Sequence, residues 1–168
     1  MPYFSSPVPS AAEHLDQRLP DLSDLETARR LTAALPAVVR MLDDLQIGRS
    51  QQARLLDLSE RTLQRALRGD LPRKLSVDQF TRMSLITGIY KALPILFVGE
   101  ASKAWLTRLN GRRTLNGQRP LDYMLGGGIP AMLTVRQLLD ADRSGQFGDA
   151  TAEDRARAAG VSVRMVRG

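Results

Sequence analysis

The sequence predicts an all-α protein, and three observations lead to that prediction. Of its 168 residues, 43% are hydrophobic but only 5% are aromatic, so aliphatic side chains and Met must fill the core. Such a composition favours helices, because strands draw on β-branched and aromatic residues. Apolar positions recur at spacings of three and four, and Gly, Pro, Asn and Ser separate these periodic segments. A chain of this length buries one full core, or two small cores that share an interface.

Composition also limits the functions open to the chain. There is no Cys, which excludes disulfides and thiolate metal sites, and the one His is His14. Without a second His or a Cys, neither a Ser-His-Asp arrangement nor a metal cluster forms, short of an all-carboxylate site. The triple Gly at residues 126–128 lacks the Lys-Ser/Thr of a phosphate loop and indicates a helix stop. We therefore expect no enzyme, no cofactor and no metal.

The N-terminal part predicts a flexible arm followed by a helix face. Residues 1–23 open rich in Pro, Ser and Ala, without a secretory signal. No apolar run in the chain reaches the length of a membrane span, so we expect a cytoplasmic protein. Pro36 predicts a kink or a new helix within the next apolar face. That face comprises Leu31, Leu35, Val38, Leu42 and Leu45.

The stretch "SQQARLLDLSERTLQRALRGD", residues 50–70, predicts two short helices joined by a tight turn. Leu58 fills the turn, and Ser59 is suited to cap the second helix because its hydroxyl accepts a backbone N–H. Leu63, Ala66 and Leu67 give that helix a buried side. The predicted exposed side consists of Glu60, Arg61, Gln64, Arg65 and Arg68.

Four further segments complete the predicted architecture. A helix starts at Ser76 and ends or bends near Pro94, and a second unit begins near residue 95. The run "EASKAWLTRL" predicts a helix with Ala101, Ala104, Trp105 and Leu109 on one face. Two Asn-Gly turns then flank Leu115. A short helix from Pro120 precedes the triple Gly, and a last helix ends at Gly145.

Positive charge begins where the paired short helices begin. Residues 1–47 carry four basic and seven acidic side chains, whereas residues 48–82 carry eight basic and four acidic ones. Nearly all of the basic residues are Arg, which binds phosphate and guanine in a bidentate manner. This distribution is consistent with nucleic-acid binding or with a solvated basic surface.

The second short helix has the side chains that a major-groove helix requires. Arg61 and Arg65 lie four residues apart and suit guanine, while Gln64 suits adenine. Glu60 accepts from cytosine N4 or holds an Arg in place. The candidates for phosphate contacts are Arg49, Gln51, Arg68, Arg73 and Lys74. The alternative is an ordinary helical hairpin with a charged outside.

The run "QARLLDLSERTLQR", residues 52–65, resembles helix-turn-helix regulators of the Xre class. Asp57 departs from their pattern, which usually has Gly at that position of the turn. Because Asp adopts the left-handed conformation at a lower cost than most residues, we expect an intact turn.

The second half contains, in this order, Ala104-Trp105-Leu106, Asn110, Leu115, Gly117, Pro120-Leu121-Asp122, Leu125, Gly127 and Gly145. This pattern resembles the toxin-binding domain of Xre/MbcA/ParS-type antitoxins. The two resemblances together cover about residues 30–146. They imply a dimer that binds its own promoter and neutralises a RES-domain toxin that attacks NAD. The implied domains are a helix-turn-helix at residues 24–94, a toxin-binding domain at residues 95–146 and a tail at residues 147–168.

The resemblance also yields candidates for toxin contacts. Trp105 is expected either in the core or at the toxin, and Arg112 and Arg113 are expected either solvated or against an acidic toxin surface. In this family the C-terminal part approaches the toxin's cleft, where Arg suits a site built for an anionic dinucleotide. The alternative for that part is a frayed tail. The full set is Trp105, Arg112, Arg113, Leu121, Tyr123, Met124, Val163, Arg164, Met165 and Arg167.

Two other functions remain open from the sequence. One is a plain transcription regulator whose C-terminal half dimerises or senses a ligand. The other is a protein with a degenerate DNA motif that acts through protein contacts alone. A neighbouring gene for a RES-like toxin distinguishes the first from an antitoxin, and binding to operator against random DNA distinguishes the second.

Overall fold

The computed structural model describes residues 25–72 and 74–145, and the described elements are all helical. The all-α prediction is therefore confirmed. The predicted arm, His14 and the C-terminal tail lie outside the described residues. The α-helices are α1 (Leu25–Ala33), α2 (Leu35–Asp44), α3 (Arg49–Leu56), α4 (Glu60–Leu67), α5 (Val77–Leu96), α6 (Glu100–Ala104) and α7 (Pro120–Arg143). Single 3-10 turns form at Trp105–Thr107 and Arg113–Leu115.

The apolar face of residues 31–45 is divided between two helices. Pro36 lies in the first turn of α2, where its missing N–H has no helical partner to lose. The prediction of a new helix at this Pro is confirmed. Leu35, Val38 and Leu42 are buried, so the face lies on the core as its spacing predicted. None of the described helices is long and apolar enough to cross a membrane.

Helix α5 joins the two halves of the molecule. It begins with a reciprocal cap, in which Ser76 Oγ accepts from Gln79 N and Gln79 Oε1 accepts from Ser76 N. It packs most extensively against α7 and also contacts α2, α3 and α6. The buried apolar side chains of residues 35–139 consequently form one cluster. Of the two arrangements open from the sequence, the structure has the single core.

Helix α7 contains the break that the triple Gly predicted. Gly128 has φ 62° and ψ −144°, which is not helical, so the 24-residue element consists of two segments that meet at a kink. A side chain at this φ is strained, whereas Gly adopts it freely. Pro130 follows in the first turn of the second segment, which is a favourable position for it.

Residues 100–109 depart from the predicted single helix. Helix α6 ends at Ala104, and the next turn is a 3-10 turn, which rotates successive side chains further than an α-helix does. As a result Leu106 is buried at 1% exposed, and Leu109, predicted on the apolar face, is 77% exposed. Ala101 is exposed as well. The predicted face is wrong at both positions. At Leu109 the change of helix type has shifted the side-chain register, whereas Ala101 precedes that change and lies on the exposed side of α6.

Candidate nucleic-acid interface and partner-binding surface

The turn between α3 and α4 is intact with Asp at its left-handed position. Asp57 has φ 53° and ψ 48°. Its N–H donates to Arg54 O at 3.3 Å, and the N–H of Leu58 donates to Ala53 O at 2.9 Å. These two bonds define a Schellman ending, in which the residue after the left-handed position returns to the last helical turn. Leu58 packs against the core, so the expected intact turn is confirmed.

Two side chains of α5 donate hydrogen bonds to backbone carbonyls of this turn. Gln79 Nε2 donates to Asp57 O at 2.8 Å, and Arg82 Nη1 donates to Leu55 O at 3.1 Å. Arg82 is itself oriented by Asp78, whose Oδ2 lies 2.6 Å from its Nε. Carbonyl groups left over at the end of α3 are thereby satisfied. The sequence did not predict Gln79 and Arg82 as supports of the helix-turn-helix.

Helix α4 presents a continuous polar face to solvent. Ser59 caps it as predicted, since Ser59 Oγ accepts from Thr62 N at 3.1 Å. Leu63 and Ala66 anchor its inner side in the core. The predicted outer residues are all exposed: Glu60, Arg61, Gln64, Arg65 and Arg68. Within the described residues, Arg61, Gln64 and Arg68 make no side-chain hydrogen bond or ion pair, so these side chains are available to a ligand.

Arg65 differs from its neighbours on this face because it has a carboxylate partner. Its Nε lies 2.6 Å from Asp70 Oδ2. That hydrogen bond and the opposite charge hold the pKa of Asp70 below its ordinary value and raise the pKa of Arg65. Both groups are therefore charged at neutral pH. Sequence reasoning did not assign Asp70, although an Asp directly after the Gly that ends the helix was a visible signal.

Of the predicted phosphate-binding residues, Arg49 and Gln51 have polar partners in the structure, whereas Arg68 and Lys74 are exposed. Arg49 is half-buried, with Nη1 2.7 Å from Gln52 Oε1 and Nη2 3.2 Å from Asp43 Oδ1. Gln51 Oε1 accepts from Gly48 N at 3.3 Å, so the Gln51 side chain caps the N-terminus of α3. Lys74 is exposed, and Arg73 lies outside the described residues. Phosphate contact by these residues stays a prediction.

A buried polar network fixes the start of α3. Gln52 is fully buried, and its Nε2 donates to Asp43 Oδ1 at 2.6 Å and to Ile47 O at 2.8 Å. Its Oε1 accepts from Arg49, so every polar atom of the amide has a partner. Sequence reasoning missed Gln52, because nothing in the local pattern separates it from the exposed Gln residues.

In the second half, most of the apolar candidates for toxin contact lie in the core. Trp105 is 9% exposed, and its ring stacks on Phe97 with centroids 5.8 Å apart and planes at 27°. Leu121 and Met124 are also buried, whereas Tyr123 is half-buried. The structure agrees with the core alternative for Trp105. Toxin contact by these residues stays a prediction, and for the buried ones it requires a rearrangement.

Arg112 occupies neither of the two surroundings expected for it. It is buried, and its Nη2 lies 2.6 Å from Asp142 Oδ2, with the two side chains 6% and 8% exposed. The pair connects the loop after the first 3-10 turn with the end of α7. The same loop is closed by Asn110 N, which donates to Gln118 O at 3.2 Å. Arg113, the next residue, is exposed, which is compatible with both of its alternatives.

The four remaining candidates, Val163, Arg164, Met165 and Arg167, lie outside the described residues.

A cleft of about 310 Å³ lies between α2, α5 and α6. In its wall Tyr90 Oη donates to Asp44 Oδ2 at 2.9 Å, and Lys103 Nζ lies 3.5 Å from Asp44 Oδ1. The hydrogen bond to the carboxylate raises the pKa of Tyr90. These contacts tie the helix-turn-helix half to the second half.

The fold is a helix-turn-helix with an exposed Arg and Gln face, which shares one core with a second helical unit; this is the architecture of a two-part DNA-binding protein. Residues 24–88 match the antitoxin Xre-like helix-turn-helix domain, and residues 92–145 match the antitoxin Xre/MbcA/ParS C-terminal toxin-binding domain. The chain belongs to this non-enzymatic antitoxin family.

The chain is also similar to a protein of a known organism. The uncharacterized protein y4oB of Sinorhizobium fredii is 35% identical over 120 residues, which cover 69% of this chain and 88% of that protein. No solved structure matches the chain significantly. Of the two matched domains, the helix-turn-helix implies DNA as a partner, and the toxin-binding domain implies a cognate toxin.

Proposed function

We propose that this antitoxin represses its own promoter and neutralises a RES-domain toxin that degrades NAD. The observation that carries the DNA half is the exposed face of α4, whose Arg61, Gln64 and Arg68 are free of partners within the described residues. Long side chains that are exposed, polar and borne on a fixed helix are what base edges in the major groove require. The supports from Gln79 and Arg82 fix the angle at which α4 leaves the turn.

Binding to the DNA directly upstream of the coding sequence tests this half. Purified full-length protein is titrated against that duplex and against random duplex at several salt concentrations. Specific binding should exceed nonspecific binding by roughly three or more orders of magnitude. Arg61→Ala should weaken operator binding by about 1–3 kcal/mol. Arg143→Ala, the same change at the exposed end of α7, serves as its control. Equal affinity for both duplexes would contradict sequence-specific repression.

We expect the DNA-bound form to be a homodimer, because symmetric half-sites require two copies of α4. Light scattering of the protein with and without operator measures the stoichiometry. One monomer per operator would contradict this part of the proposal.

For the toxin half, we propose contact through the exposed part of the loop between residues 108 and 119. Leu109 is 77% exposed there. The exposed Arg108 directly before it and Arg113 four residues after it form no ion pair within the described residues. An apolar anchor with a basic rim suits an acidic partner surface. Leu109→Asp should abolish copurification with a RES-type toxin from a neighbouring gene, while Val98→Asp, at another exposed apolar residue, should not.

The C-terminal tail is the second part of the proposed toxin contact. Deleting residues 161–168 should weaken neutralisation and leave DNA binding unchanged. Coexpression with the toxin gives the readout, as cellular NAD and growth. Rescue by the truncated protein equal to that by the full chain would rule out the tail.

A further inference from the structure

The turn that ends α4 places Asp70 over Arg65. Gly69 has φ +88°, its N–H donates to Ala66 O at 3.0 Å, and Asp70 N donates to Arg65 O at 3.0 Å. This is a Schellman ending, the same backbone device that ends α3. In such an ending the residue after the left-handed position meets the residue five before it, so Asp70 is directed to Arg65 by the backbone itself.

The contact made at this position is unusual in its chemistry. A hydrophobic pair commonly accompanies a Schellman ending. At the end of α3 that position holds Leu58, which packs against the core. At the end of α4 it holds the Arg65–Asp70 ion pair, with side chains 56% and 59% exposed. Exposed ion pairs add little to stability. The main consequence of this pair is therefore that it orients the Arg65 side chain.

Asp70 engages one specific edge of the guanidinium. Only Nε of Arg65 donates to the carboxylate, which leaves the four N–H groups on Nη1 and Nη2. These two nitrogens form the edge that matches O6 and N7 of guanine. The pair is also neutral as a unit, so Arg65 is less suited than Arg61 or Arg68 to compensate a phosphate.

We infer that Asp70 is a positioning residue for base recognition, which holds Arg65 so that its Nη1–Nη2 edge meets a guanine. Arg65 is then a sequence reader on this helix beside Arg61 and Gln64, and Arg68, which has no carboxylate partner within the described residues, contacts the phosphate backbone. The inference rests on the proposed DNA binding and adds the residue that sets its specificity.

The test is a selection from a pool of duplexes with a randomised centre, using the full-length protein. The wild type and Asp70→Asn are then measured on the selected site and on its single-base variants. Removing a carboxylate should raise affinity for every duplex, because repulsion from phosphate is lost. At one G·C pair, however, discrimination should fall roughly three- to tenfold, since Arg65 is no longer held.

Three further proteins sharpen the result. In an Arg65→Ala background, Asp70→Asn should have no effect at that G·C pair, because its action passes through Arg65. Asp70→Glu should restore most of the discrimination. Asp57→Asn, which makes the same charge change in the turn before α4 and tolerates the left-handed conformation, should raise affinity without altering any base preference.

The outcomes separate the inference from the function on which it rests. If Asp70→Asn binds more tightly and keeps all base preferences, Asp70 only opposes phosphate and the inference is wrong. If the wild type selects no sequence at all, the proposed repressor function is wrong, and the inference about Asp70 is wrong with it.

Discussion

Two Arg–Asp pairs of the same length lie in the two halves of this molecule, in opposite surroundings. Arg65 and Asp70 are 2.6 Å apart with more than half of each side chain exposed. Arg112 and Asp142 are also 2.6 Å apart, with less than a tenth of each exposed. The first pair closes a local turn of six residues, whereas the second connects a loop to a helix 30 residues away.

The contrast separates two uses of one interaction. In water the attraction between two charges is screened, so the exposed pair changes where a side chain points more than how stable the fold is. In the core both charges have lost water, so each depends on the other for compensation. The buried pair therefore determines whether the loop at residues 108–119 keeps its shape, and the exposed pair affects what α4 recognises.

Arg112→Ala should have the largest effect. It leaves the Asp142 carboxylate buried without its partner, so the free energy of unfolding should fall by about 3–5 kcal/mol. Urea denaturation measures this, with Arg113→Ala at the exposed neighbour as control. Equal losses in the two variants would show that the buried pair is not what stabilises the loop.

Replacing both members of the buried pair tests whether the charges themselves stabilise the fold. Arg112→Met combined with Asp142→Leu removes the desolvation cost together with the attraction. We expect a free energy of unfolding equal to or above that of the wild type, far above that of Arg112→Ala. A double variant as unstable as the single one would mean that the ion pair is intrinsically stabilising.

Gly69→Val should have a moderate effect on the exposed side of the comparison. Among the described residues, no atom beyond the two chain neighbours lies within 4 Å of an added Cβ, so the expected cost arises from the positive φ, about 1–2 kcal/mol. Because the turn directs Asp70, base preference at the Arg65 position should weaken as well. Gly69→Asn, which adopts this conformation more readily, should retain both properties, and a loss in Asn equal to that in Val would exclude backbone strain as the cause.

Asp70→Asn should have the smallest effect on stability, with an unchanged denaturation midpoint at neutral pH. The pKa of Asp70 is lowered in the folded state, so the pair's contribution is present above the unfolded pKa and is lost as pH falls through the folded one. Titration of the Asp70 carboxyl carbon by NMR should give a midpoint below that of an ordinary Asp. In Arg65→Ala the midpoint should move upward, and an unmoved midpoint would contradict the pairing.

The sequence was informative wherever structure depends on neighbouring residues. The Ser59 cap, the left-handed Asp57 and the exposed face of α4 all follow from spacing within one or two helical turns. The break at the triple Gly is local for the same reason. The two antitoxin families were recognised from resemblance of patterns, and the family matches confirm them, while the domain bounds stay a prediction.

What could not be predicted depends on distance along the chain. The bonds from Gln79 to Asp57 and from Arg82 to Leu55 span 22 and 27 residues, and no local pattern specifies them. Arg112 was assigned to the surface because most Arg residues are exposed, and only the fold brings Asp142 to it. Leu109 was misplaced because a single 3-10 turn ended the helical register.

Helix α5 has a consequence for building chimeras of this protein. The first family match ends at residue 88 and the second begins at residue 92. The join between them therefore falls inside α5, a helix of 20 residues that is about 30 Å long. Its side chains contribute to the core on both sides of that join. Exchanging one half for that of a relative therefore creates a hybrid helix whose α7-facing residues must still match. We therefore expect point substitutions to separate recognition of DNA from recognition of the toxin, whereas cutting the chain between the two halves should disrupt the shared core.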